Sequence, residues 1–207
     1  MMEGQEGPRA KDFERKETGR ESFARKVGFF LVDLFETFLI AVLIFVFVHN
    51  FLSQSFEVYG SSMEPNFENG ERILTDKITY RLREPRRGDV INFEAPHDRS
   101  SDYIKRVIGL PGEEVLIRNG KVFIYNSENP QGVELREEYL PDGAFTVASE
   151  RFPDNIKVKI PKDSYFVLGD NRQNSSDSRI WGTVPKGNII GKAWFSYWPS
   201  DKIGLIR

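Results

Sequence analysis

Leu116–Tyr125 reads LIRNGKVFIY. Its central Asn119-Gly120 accepts the two positive φ angles of a type I′ turn, whose twist matches that of paired strands. The residues on either side are largely β-branched or aromatic, so the stretch reads as a β-hairpin. Outward from it, strands are predicted at Arg72–Thr75, Asp89–Phe93, Tyr103–Gly109, Glu114–Arg118, Lys121–Tyr125, Lys157–Ile160, Tyr165–Leu168 and Ile189–Tyr197, separated by clusters of Gly, Pro, Asn and Asp. The span 126–156 is polar and holds Pro130, Pro141 and Pro153, which reads as an insertion in the β core. No long amphipathic helix pattern follows residue 52. The expected fold class is mainly β.

The N-terminal side has a different character. Val27–Val48 reads VGFFLVDLFETFLIAVLIFVFV. As a helix these residues cover roughly 33 Å, enough for a bilayer core. Asp33 and Glu36 stand three apart on one face near its start, where headgroups can solvate them. Arg20, Arg25 and Lys26 flank the N-terminal side, and HNFLSQSFEVYG on the other side has no Lys or Arg. The positive-inside rule then leaves the N-terminus in the cytoplasm and the chain after about residue 52 outside. A cleavable leader is the rival reading, with Ser53-Gln54-Ser55 as its small-x-small site. The 26-residue charged tail and the length of the apolar span favour a permanent anchor. Residues 1–26 carry seven basic and six acidic residues and read as a solvated, disordered cytoplasmic tail. The expected organisation is tail 1–26, transmembrane anchor 27–52, a β domain of 53–117 and 157–207, and an inserted hairpin and loop subdomain at 118–156.

The 207 residues include no cysteine and two histidines, with 29 Lys+Arg against 31 Asp+Glu. Thiol nucleophiles, disulfides and cysteine-ligated metals are excluded, and a multi-histidine metal site nearly so. The charge balance argues against nucleic-acid binding through a broad basic face. No metal or cofactor is expected. A mean hydropathy of −0.45 suggests a soluble protein and conceals the one apolar span.

Three segments invite a chemical reading: Tyr59-Gly60-Ser61-Ser62-Met63-Glu64-Pro65, Asp102–Glu113 (DYIKRVIGLPGE), and Gly169–Arg179 (GDNRQNSSDSR) followed by Trp181-Gly182. Singly, each has an ordinary explanation. A Gly-Ser-Ser stretch makes a turn. Lys105, between Ile104 and Val107, points inward or guards a sheet edge. The third segment is a polar loop held by Asp–Arg pairs. His49 at the outer end of the anchor and His97 in the polar loop APHDRSS read as interfacial or exposed rather than catalytic.

In order and wording, these segments and the Gly88-Asp89-Val90-Ile91 box resemble the bacterial type I signal peptidases, membrane-bound serine proteases that remove signal peptides from exported preproteins. The resemblance covers nearly the whole chain. It implies an antiparallel, barrel-like catalytic domain on one N-terminal transmembrane helix at the bacterial cytoplasmic membrane. It implies Ser62 as nucleophile and Lys105 as general base, with Ser175 hydrogen-bonded to the amine and an Asp177–Arg179 pair holding that loop. A serine hydroxyl needs a base, and lysine serves only when burial lowers its pKa. The Ser62 N–H is the natural first oxyanion donor. Some members add a serine hydroxyl at the position of Gly60, so here the second donor stays open. Gln173 and Asn66 are further departures, where an acid and a threonine are common. By resemblance Phe56, Val58 and Ile104 line small pockets for Ala-x-Ala-like substrates, though plain core packing explains them equally well. The partners implied are preprotein signal peptides, membrane lipid and the secretion translocon. The aromatics of Ala193–Pro199 read as a core strand or as rings at the headgroup level. A self-cleaving Ser–Lys protein of the SOS-repressor type and a membrane-anchored non-catalytic binding protein are the alternatives.

Overall fold

A computed structural model describes residues 8–47 and 53–206. Helix α1 runs Pro8–Phe47. Within it Arg25–Val46 is long and apolar enough to cross a membrane, with a mean hydropathy of 2.5. Phe29, Phe35, Phe38 and Phe45 all lie exposed, so the span is apolar around its circumference rather than along one stripe. The helix begins well before the apolar span. The segment 8–26, expected as a disordered tail, is helical: its sequence is rich in the helix formers Lys, Arg and Glu. His49 lies outside the described residues.

The rest is antiparallel β. The strands are β1 Ser53–Glu57, β2 Arg72–Asp76, β3 Val90–Ala95, β4 Asp98–Gly109, β5 Glu114–Arg118, β6 Lys121–Tyr125, β7 Val133–Glu134, β8 Val158–Lys159, β9 Ser164–Leu168, β10 Val184–Pro185, β11 Ile189–Trp198 and β12 Gly204–Leu205. Two single-turn helices, α2 Thr79–Leu82 and α3 Ser178–Trp181, interrupt them. The large sheet has the order β1-β2-β11-β3-β4-β9-β10, with β12 beside β11, and the small sheet the order β7-β6-β5-β8. The fold is therefore mainly antiparallel β behind one apolar helix.

The hairpin at Asn119-Gly120 forms as expected, with φ of 52° and 77° at the turn. Arg118 pairs with Lys121, and Glu114 with Tyr125. This sheet reaches from Glu114 to Lys159, past the span 118–156 at both ends. The loop expected at APHDRSS is instead a tight turn at Pro96-His97, and Asp98–Ser101 already belong to β4.

Three clusters build the core. Ile108, Val115, Ile117, Val122, Ile124, Phe152, Ile160, Phe166 and Leu168 join the two sheets. Phe152, from the proline-rich span, packs its ring 4.4 Å from that of Phe166. Val58, Met63, Phe67, Ile73, Val90, Ile104 and Ala193 form a second cluster under the Ser62 loop. Ile91, Phe93, Val107, Tyr165, Val167 and Val184 form the third. Along β11, Ala193 and Ser196 point inward while Trp194 and Trp198 are 39% and 55% exposed, so two of the four aromatics expected there face outward.

Candidate active site

The loop from β1 to β2 is pinched shut at its neck. The Val58 N–H donates to the Glu71 carbonyl at 2.8 Å, and the Gly70 N–H returns to the Val58 carbonyl at 2.8 Å. Gly60 takes φ of +82°, a conformation glycine adopts without strain, and its N–H donates to Asn69 Oδ1 at 2.7 Å. Met63 and Phe67 anchor the loop from beneath. Ser62 is presented at its top.

Lys105 lies on β4, opposite Ile91 of β3. It is 4% exposed, and its Nζ stands 2.8 Å from Ser62 Oγ and 2.8 Å from the Ile104 carbonyl. Burial pushes the amine down from its ordinary 10.5 to about 8, against the pull of the Asp177 and Asp170 carboxylates. At pH 7 this raises the neutral fraction of the amine by roughly 300-fold.

The loop after β9 supplies the surroundings. Asp177 and Arg179 pair as expected: Nε donates to Oδ1 at 2.8 Å and Nη2 to Oδ2 at 2.7 Å, both side chains buried. Asp177 also accepts the Gly169 N–H at 3.1 Å and caps α3. Arg179 Nη1 donates to the Arg172 carbonyl at 2.7 Å, which closes the loop on itself. Gly169 allows the closest approach. A methyl group there would come within 2.1 Å of Ser175 Oγ and 2.3 Å of the Ser62 carbonyl oxygen.

Ser175 does not do what was expected of it. Its buried Oγ has no hydrogen-bond partner and packs against Gly169, while the Ile104 carbonyl holds the amine instead. Asn171 holds the Ser62 loop directly. Its N–H donates to the Ser62 carbonyl at 3.0 Å and its side-chain amide to the Ser61 carbonyl at 3.1 Å. Asn174 donates to Ser61 Oγ at 3.0 Å, so that hydroxyl is engaged. The Ser62 N–H donates to no group among the described residues.

Three further supports escaped the sequence reading. Arg106 and Asp170 form a two-pronged buried pair at 2.9 and 2.6 Å. Asn66, noted as a departure, donates to Asp170 Oδ2 and to the Tyr139 carbonyl, each at 2.8 Å. Arg172 pairs with Glu137 and donates to Thr146 Oγ1 at 2.9 Å, which ties the span 126–156 to the loop after β9. Glu137 and Thr146 sit in a span with no strand periodicity, so nothing in the sequence signalled them.

A cavity of about 280 Å³ opens beside Ser62 and Lys105, lined also by Phe56, Val58 and Ile104 together with Ile73 and Tyr103. The three expected pocket residues thus meet at one site. Main chain is free on two sides of it. β1 is the outermost strand of its sheet, and β4 pairs with β9 only from Arg106 onward, so Asp102–Lys105 presents an unpaired edge. Among the described residues no group of His, Cys, Asp and Glu could hold a metal ion.

The family model described as "Signal peptidase, peptidase S26" matches residues 31–198. A probable signal peptidase I-2 from Synechocystis sp. is 37% identical over 183 residues, which cover 84% of this chain and 77% of the relative. Signal peptidase I P from Bacillus subtilis subsp. natto is 34% identical over 177 residues, 84% of this chain and 92% of the relative. A crystal structure of a signal peptidase I from Enterococcus faecalis V583 superposes with a TM-score of 0.43 at 32% identity, over 53% of this chain and 97% of that one.

Proposed function

The chain belongs to the signal peptidase family, peptidase S26, and from that membership we propose that it is a membrane-anchored serine endopeptidase that removes signal peptides from exported preproteins through a Ser62–Lys105 dyad. The observation that carries the mechanism is the 2.8 Å contact between Ser62 Oγ and the amine of Lys105, a residue that is 4% exposed. In the neutral state the amine accepts the Ser62 proton as Oγ attacks the scissile carbonyl. The tetrahedral oxyanion takes the Ser62 N–H as its first donor. The ammonium returns its proton to the departing amine, and a water activated by the same lysine releases the acyl group from Ser62. Ser175, Asp177 and Arg179 act by holding the loop behind the dyad, and Gly60 by its backbone conformation.

An extended signal peptide adds its main chain between the two free edges, and the small cavity at Phe56, Val58 and Ile104 selects small side chains before the cut. The charge asymmetry around the apolar span supports an orientation with the β domain on the outer face of the cytoplasmic membrane. The exposed rings of Trp194 and Trp198 suit a lipid headgroup layer. Delivery of preproteins by the secretion translocon belongs to the same proposal.

The test is cleavage of a preprotein in detergent or membranes by the wild type and by Ser62→Ala and Lys105→Ala. Both variants are expected to fold and to be inert. Normal processing by Lys105→Ala overturns the mechanism.

A further inference from the structure

His97 read as an exposed residue of an unpromising loop, yet the turn at Pro96-His97 carries its ring against Tyr103, which lines the active-site cavity. The imidazole lies 5.7 Å from the Tyr103 ring and 6.2 Å from the Trp181 ring, tilted 56° and 33° to them. Phe93 supports the group from the core, 6.2 Å from Tyr103 and 5.8 Å from Trp181. Four rings from β3, the turn, β4 and α3 thus form one cluster. Tyr103 is its inner face: it lines the cavity, and its ring centroid is 5.7 Å from Lys105 Nζ.

We propose that His97 is a positioning residue for this reaction, clamping Tyr103 from the solvent side so that the ring screens the Lys105 amine from water. The proposal rests on the reading of Lys105 as the base. The contact between His97 Nε2 and the Tyr103 hydroxyl is 3.4 Å, long for a hydrogen bond, so the packing of the rings does the holding. Without His97 the outer face of Tyr103 is open, the ring gains rotamer freedom, and water reaches an amine whose neutral form depends on dryness. The groups around that amine are Ser62 from the nucleophile loop, Tyr103 from its own strand, and Asp170 and Asp177 from the loop after β9. Of these groups a change at His97 reaches Tyr103, through the ring contact. The charged neighbour of His97 is Asp98, which accepts from the Ser100 and Ser101 hydroxyls.

The experiment is a titration of the Lys105 side chain in the full chain in detergent, followed through its ¹³Cε resonance. His97→Ala is expected to raise the midpoint by at least about half a pH unit, which leaves roughly threefold less neutral amine at pH 7. His97→Phe, which keeps a ring on the turn, is expected to hold the wild-type midpoint. Tyr103→Phe is expected to hold it as well, because the ring remains. His97 is exposed on a turn, and equal melting temperatures for the variants will show that the fold is intact. An unmoved midpoint in His97→Ala overturns the proposal. So does a shift in Tyr103→Phe as large as that in His97→Ala, since the hydroxyl contact would then be the cause. Preprotein cleavage by the same samples keeps the two readings apart. If Lys105→Ala is inert while His97→Ala leaves the midpoint alone, the positioning role falls and the dyad stands.

Discussion

A lysine that is 4% exposed is held at the expense of stability. The unfolded chain binds that proton with the ordinary affinity near 10.5, whereas the folded chain binds it at about 8. Between those values the unfolded state holds more protons, so stability rises with pH there; below about pH 8 the whole cost is present. Lys105→Met keeps the volume and removes the charge. It is expected to be inactive yet more stable by about 1–3 kcal/mol at pH 7, with the rise in melting temperature between pH 8 and 10 reduced. Thermal unfolding of both proteins at pH 7 and pH 10 checks this, and a less stable Lys105→Met at pH 7 contradicts it. Ser62, Lys105, Asp177 and Arg179 were legible in the sequence because each belongs to a recognisable box. The partner of Lys105 was not. Ile104 supplies a carbonyl, which no side-chain pattern announces, and Ser175 sits against Gly169 instead. The Arg106–Asp170 pair joins residues 64 positions apart, and His97 reaches Tyr103 only because a turn lies where a loop was expected.

Among the elements, the hairpin at residues 114–125 was read correctly to the residue, because alternating apolar side chains and an Asn-Gly turn agree with one another. The Gly120 position is doubly constrained. It has φ of +77°, and a Cβ there would come within 2.1 Å of the Phe145 ring. Gly120→Ala is therefore expected to destabilise the domain by about 1–3 kcal/mol, seen as a fall of several degrees in melting temperature. The pH dependence of cleavage should be unchanged, since the turn does not touch the dyad; an equal or higher melting temperature contradicts the account. Strand β1 was missed because Ser-Gln-Ser-Phe-Glu shows too little apolar alternation, and its pairing with β2 is what makes it a strand. The two-residue strands β7, β8, β10 and β12 are too short to carry any period; of these only β8 fell within an expected strand. The helical segment 8–26 was read as a tail because charged, helix-forming residues satisfy both descriptions.

At the scale of the molecule, the buried residues of the three core clusters all lie between Val58 and Ala193. The sequence separates the chemistry into boxes at 60–65, 102–113 and 169–179, and the large sheet brings them together. β4 delivers Lys105, and the turn after β9 folds over the nucleophile loop through Asn171. The span 126–156 looked like a passive insertion. It braces that turn instead, through Glu137 and Thr146 on Arg172 and through Ser149 on the Arg179 carbonyl at 2.6 Å. The central claim is that Ser62 becomes a nucleophile because Lys105 takes its proton. The most direct measurement is the site and rate of labelling by a serine-acylating probe, read by peptide mass mapping across a pH series. The account predicts one adduct, on Ser62, forming faster as the pH rises toward about 8 and lost in Lys105→Ala. An adduct on Ser61 or another serine, or equally fast labelling of Ser62 in Lys105→Ala, would contradict it.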